Sequence, residues 1–78
     1  MSFKGNTDRA IADYNEAIRL ESRFAHAFYI RGTAYEAKND LAQALTDFRS
    51  FVRLNPNDPK GPEAILRIES KIDARLKK

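Results

Sequence analysis

Ala10-Ile11-Ala12-Asp13-Tyr14 returns 34 residues later as Ala44-Leu45-Thr46-Asp47-Phe48, and Ile18-Arg19-Leu20 returns as Val52-Arg53-Leu54. The same shift lays Gly5-Asn6 on Asn39-Asp40, so a turn is expected to recur in register with the helix it introduces. A fixed period of this length marks a unit that has been copied, each copy a supersecondary element that needs its neighbours to bury an apolar face.

Inside the period the apolar spacing is helical. Ala10, Ile11, Tyr14, Ala17 and Ile18 recur at intervals of three and four, which predicts a helix over 7–21 with Asn6 or Thr7 as N-cap. Ser22 is placed to cap a second helix over 24–38, which holds no proline and a single glycine, Gly32. Asp40 followed by Gln43 makes an Asp-led capping box and opens a third helix over 41–54. Asn55-Pro56-Asn57-Asp58-Pro59 stops it, because proline lacks the amide donor and restricts the residue before it. Pro62 suits the first position of a fourth helix reaching about Lys77. Short connections between four helices imply antiparallel neighbours, and the expected class is all-α.

Residues 25–58 read Phe28-x-x-Arg31-Gly32-x-x-Tyr35, then Ala44-x-x-x-Phe48, then Pro56. This resembles the tetratricopeptide repeat, whose signature is Trp-x-x-Leu-Gly-x-x-Tyr, Ala-x-x-x-Phe and a closing Pro. Phe28, Gly32, Tyr35, Ala44, Phe48 and Pro56 are the signature positions, and the preceding copy agrees at Gly5, Ala10, Tyr14, Ala17 and Leu20. The resemblance implies an antiparallel helix-turn-helix solenoid of one and a half repeats plus a C-terminal capping helix. Residues 4–24 would be the second helix of a partial repeat, 25–58 a complete repeat and 59–78 the cap, all in one domain. Two positions depart from the pattern. Arg31 stands where the family usually has Leu, and Phe51 where it usually has Ala. The expected compensation lays the aliphatic stem of Arg31 over Phe51 while its guanidinium reaches Asp47 or solvent.

In this register Met1 falls near the end of the first unit's opening helix, so only the second helix of that copy is present. This suits a piece of a longer array, or a helix 7–21 whose partner lies in another chain. Either way Ile11, Tyr14 and Ile18 are expected on an uncovered apolar face, a candidate surface for homo-oligomer formation.

The 78 residues make one small domain with little room for an enzyme's core, and carry a net charge of +3. That excess is confined to one segment. Residues 1–59 hold eight basic and eight acidic side chains, while 60–78 hold six basic against Glu63, Glu69 and Asp73. No run is apolar enough to cross a membrane and no secretory signal is visible, which favours a cytosolic chain or one whose start has been cut away. With zero cysteines there is no disulfide, thiolate metal site or thiol nucleophile. His26 is the single histidine, without a second at helical spacing, and Ser2, Ser22, Ser50 and Ser70 lack a nucleophile-elbow context. No catalytic residue, metal site or cofactor is expected.

The candidate binding surface lies on the second helix. If Phe28, Gly32 and Tyr35 face the third helix, then His26, Tyr29, Thr33 and Glu36 share another face. The resemblance implies that this face lines a concave groove that accepts a peptide or partner protein. Tyr29 is the expected anchor, an exposed aromatic with a hydroxyl. These residues differ from the Lys/Asn/Arg set with which some members grip a C-terminal carboxylate. A competing surface is the fourth helix, where Ile65, Ile68, Ile72 and Leu76 form an inward stripe and Arg67, Lys71, Arg75 and Lys78 line the other side. That basic side suits a nucleic acid or an anionic membrane surface, yet it has no interleaved aromatic for base stacking, and Glu63–Arg67 and Asp73–Lys77 make helix-supporting pairs. The expected function is therefore a non-enzymatic protein–protein interaction module, with self-assembly and anionic-ligand binding as alternatives.

Overall fold

The computed structural model describes residues 3–77, with side chains from Asn6 onward. Four helices follow one another: α1 (Phe3–Leu20), α2 (Ala25–Ala37), α3 (Leu41–Leu54) and α4 (Lys60–Leu76). Among the described residues there is no strand, and the fold is an all-α helical repeat. The Cα envelope measures 40 × 37 × 15 Å. Two helical layers packed about 10 Å apart give that thickness, so the molecule is a slab two helices deep.

α3 follows the sequence closely. Its bounds are Leu41–Leu54, and the Asp40 side chain accepts from the Gln43 amide at 3.4 Å. Asn39 carries the turn before it at φ 69°, in the left-handed region that asparagine tolerates. The Asn39 amide donates to Glu36 O and the Asp40 amide to Tyr35 O, which ends α2 in a Schellman motif and satisfies carbonyls that the helix leaves open.

Three helix starts differ from expectation. α1 begins at Phe3, so Gly5, Asn6 and Thr7 are helical and none is a cap. The left-handed turn at Asn39 exists to join two antiparallel helices; no helix precedes α1 among the described residues, so the equivalent Gly5 runs on in helix. Ser22 caps nothing. Phe24 occupies the N-cap of α2 without a side-chain hydrogen bond, and the Glu21 carboxylate accepts from the Arg23 amide in the connecting turn. α4 starts at Lys60, not Pro62, because Asp58 accepts from the Lys60 amide through its side chain and from the Gly61 amide through its carbonyl. Pro62 is then the third helical residue, still in the first turn, where its missing N–H costs no helical bond.

Packing is organised around the meeting of α2 with α3. Ala27, Phe28 and Gly32 are buried on α2, and Leu41, Ala44, Phe48 and Phe51 on α3, at the intervals that put them on one face. A Cβ placed on Gly32 would lie 3.0 Å from Phe48 Cε1 and 3.2 Å from Asp47 Cβ. The backbone of α2 therefore rests directly on Phe48. Ala64 and Ile68 of α4 join the same core, and Phe48 and Ile68 are fully enclosed. Each such side chain contributes roughly 1.5–3 kcal/mol by leaving water. Of the signature positions, Tyr35 is half-buried and Pro56 is exposed, serving the turn and not the packing.

Arg31 ties three helices. Its Nε and Nη2 donate to Asp47 Oδ2 and Oδ1 at 2.8 and 2.7 Å, and its Nη1 donates to Asn15 Oδ1 of α1 at 2.9 Å. The guanidinium lies 5.6 Å from the Phe28 ring centre and 5.9 Å from that of Tyr35. The expected reach to Asp47 is present. Phe51 instead packs its ring on Tyr29, at 5.1 Å, and stands beside Gly61.

Two expected apolar faces need correction. Ile11 is buried at 8% exposure, and Tyr14 and Ile18 are half-buried, because α1 packs against α2. That face has a partner within the chain. On α4, Ile68 is buried and Ile65 and Ile72 half-buried, but Leu76 is 80% exposed and belongs to no inward stripe.

The contact at Gly32 yields a direct test. Gly32→Val is expected to lower stability in urea unfolding by about 1–3 kcal/mol, because the added isopropyl group must displace Phe48. An unchanged or raised midpoint would show that the two helices do not approach as described.

Candidate functional site

The four residues placed together on α2 divide in the structure according to what α4 does. His26 and Thr33 are exposed, and the Thr33 hydroxyl donates to its own helix at Tyr29 O, 3.0 Å away. Tyr29 and Glu36 are half-buried. The Tyr29 ring stacks edge-on against Phe48 at 5.5 Å and Phe51 at 5.1 Å, and Lys60 Nζ lies 5.6 Å above its centre. The expected exposed anchor is thus a wall of the core, roofed by the first residue of α4. A single-helix wheel puts Tyr29 outward; the third helix in contact turns that side inward.

Glu36 is the junction between α2 and α4. Its Oε2 accepts from Arg67 Nε at 2.9 Å and from Lys71 Nζ at 2.7 Å, and its Oε1 accepts from Arg67 Nη2 at 2.8 Å. The fork-to-fork geometry with Arg67 is the strong form of this pairing. Arg67 does not make the ion pair with Glu63 that their spacing predicts. It reaches across to Glu36 and lies 5.9 Å from the Phe48 ring centre. Asp73 and Lys77 do pair, at 3.3 Å. Arg49 of α3 meets Glu69 of α4 at 3.6 Å, and Lys38 meets Asp8 of α1 at 2.7 Å, both in water and worth little.

The candidate face of α2 and the basic side of α4 consequently adjoin at Glu36. Two of the four basic residues on that side, Arg67 and Lys71, turn onto α2 and bind Glu36. Arg75 is exposed on the last turn, and Lys78 lies outside the described residues. Among the described residues no three acidic or histidine side chains gather in a way that could hold a metal ion, and no helix is long and apolar enough to cross a membrane. A shallow hollow at the α3–α4 turn, from Leu54 to Asp58, is lined by a segment occupied with starting α4.

Charge at the junction makes it sensitive to acid. The hydrogen bond from Arg67, helped by that from Lys71 and opposed by burial, holds the Glu36 carboxyl at about 2, below its ordinary 4.5. A lowered folded value means that the stabilisation is complete above the ordinary value and is lost as pH falls from 4.5 through about 2. Thermal melts at pH 6, 4 and 2.5 should show the advantage of the native chain over Glu36→Gln shrinking steadily. A constant gap across those three values would show that the carboxylate does not hold α4.

Comparison with known proteins agrees with this geometry. The sequence model of the tetratricopeptide repeat matches residues 3–59. A TPR repeat-containing protein of Methanocaldococcus jannaschii is 30% identical over 57 residues, which cover 73% of this chain but only 17% of that protein. A 34-residue period, a glycine-mediated crossing of α2 on α3 and a family match over most of the length lead to one conclusion: the chain belongs to the tetratricopeptide repeat family.

Proposed function

We propose that the chain is a non-enzymatic interaction module that offers the α2/α4 face to a peptide or partner protein. Repeats of this family mediate protein–protein interactions, and the family is one of scaffolds without catalytic machinery. The observation that carries the reading here is how the face is built. Tyr29 and Glu36 are fixed by the core and by α4, so Thr33, His26, Arg67 and Lys71 are displayed on a rigid backing. Rigid display lowers the ordering cost of binding, which is what lets a small surface hold a flexible segment.

The division of the chain is part of the same proposal: a second helix of a partial repeat over 4–24, a complete repeat over 25–58 and a closing helix over 59–78. In such an arrangement α2 and α4 are equivalent helices of successive units, and their neighbouring faces form the inner surface.

Peptides selected from a random displayed library against the chain provide the test, with affinity read by fluorescence anisotropy. Thr33→Arg should weaken the selected peptides at least tenfold, because the larger side chain fills the face. Thr46→Arg, the same change at an exposed position of α3, should leave affinity unchanged. Equal sensitivity at both positions, or loss only at Thr46, would overturn the assignment.

A further inference from the structure

The first and last helices each leave one flank uncovered, and the repeat period identifies what each flank matches. Ala10, Tyr14 and Ala17 of α1 stand where α3 has Ala44, Phe48 and Phe51. On α3 those positions are 0, 0 and 2% exposed, because α3 packs on both α2 and α4. On α1 they are half-buried, since α1 has one substantial packing partner, α2. α4 packs its apolar side on α3 and leaves the adjoining flank open. There Ile65 and Ile72 are half-buried, and Leu66 and Leu76 are 67% and 80% exposed. At 3.6 residues per turn these four fall within an arc of about 120°. The lengths of the two helices also correspond. Leu41, where α3 begins, corresponds to Thr7, so α1, beginning at Phe3, starts four residues early. Ala37, where α2 ends, corresponds to Lys71, so α4, ending at Leu76, runs five residues late. In an antiparallel pair of α4 with α1 these extra turns lie side by side.

We infer that α4 of one copy of the chain docks on α1 of a second copy, in the manner of α2 on α3, so that copies join head to tail. Charge supports the pairing. Asp13 stands at the place of Asp47, which accepts two hydrogen bonds from Arg31 of the covering helix. At the place of Arg31, α4 has Ile65, which by itself would leave Asp13 of the second copy against an aliphatic side chain. The cation has moved to the neighbouring helix. Arg49 of α3 stands at the place of Asn15, the residue that shares Arg31 with Asp47, so in the joined pair Arg49 is within reach of Asp13 of the second copy. Arg49 is 63% exposed and holds Glu69 loosely, at 3.6 Å, and it can bridge Glu69 to that second carboxylate. Leu66 replaces Gly32, which sets this crossing wider than that of α2 on α3, and Ala17 in place of Phe51 leaves room beside Tyr14. The contact joins two different surfaces, so a pair still presents one free α1 and one free α4 and the array stays open at both ends. Neither flank includes Thr33, Arg67 or Lys71 of the proposed docking face.

Sedimentation equilibrium of the chain from micromolar to millimolar concentration tests this assembly. The average mass should rise past that of a dimer without reaching a plateau. Two substitutions at exposed side chains block one flank each: Leu66→Arg on α4 and Asp13→Arg on α1. Leu66→Arg should weaken association about tenfold, by the loss of one leucine buried in the contact. At a concentration where each variant alone is monomeric, their mixture should form a one-to-one complex that grows no further, with an intact α1 from the first and an intact α4 from the second. Arg49→Asp should weaken association severalfold, and adding Asp13→Arg to it in the same chain should restore association. Circular dichroism melts of all the single variants should match that of the native chain, since these side chains are exposed before the copies meet. A native chain that stays monomeric at millimolar concentration would overturn the inference. A closed dimer that neither blocking substitution weakens would overturn it as well, and so would folded variants whose mixture remains monomeric where the native chain associates.

Discussion

A carboxylate buried between two helices needs a partner that is held in place, and at 2% exposure Asp47 has one in Arg31. Desolvating this group is tolerable only because both its oxygens accept from one guanidinium. The guanidinium in turn is fixed by Phe28 and Tyr35 one turn to either side and by Asn15 of α1. The same interface contains Gly32 on Phe48, so the approach of α2 to α3 and the pairing of Arg31 with Asp47 are two aspects of one constraint. If α2 stood farther from α3, the pair would lengthen and admit water; without the pair, the close approach would bury an unmatched charge. Among the described residues no buried side-chain polar atom is left without a partner, as such a core requires.

From that interface the proposed docking face follows. Seating α2 on Phe48 and Phe51 fixes Tyr29 as a wall and brings Glu36 to the edge of α4. α4 is then held twice, by Ala64 and Ile68 in the core and by Arg67 and Lys71 on Glu36. The face proposed for a partner is the product of three helices, and its cations come mainly from the last.

The sequence showed some of this and hid the rest for identifiable reasons. The bounds of α3 were legible because Asp40, Gln43 and the Asn55–Pro59 segment act locally, through caps and the missing proline amide. The reach of Arg31 to Asp47 was legible because both depart from or repeat within a known period. The start of α1 was hidden because Gly5-Asn6 matches Asn39-Asp40 in sequence, while the turn itself is imposed by the helices it joins. Tyr29 and Glu36 were assigned to the right helix and the wrong environment, since a helical wheel carries no information about a third helix. Glu36 and Arg67 are 31 residues apart, so a search for pairs at four residues finds Glu63 in its place. Burial of Ile11 was missed for the same reason: the repeat register speaks to the partner that precedes α1, and α2 covers that residue from the other direction.

The central claim is that Arg31 and Asp47 act as a unit on which helix packing depends, and urea unfolding of Arg31→Leu, Asp47→Ala and the double variant tests it most directly. Each single change should cost about 3 kcal/mol, by leaving a charge without its partner, and the double variant should cost far less than the sum. Additive losses, or single losses below about 1 kcal/mol as for an exposed pair, would contradict the account.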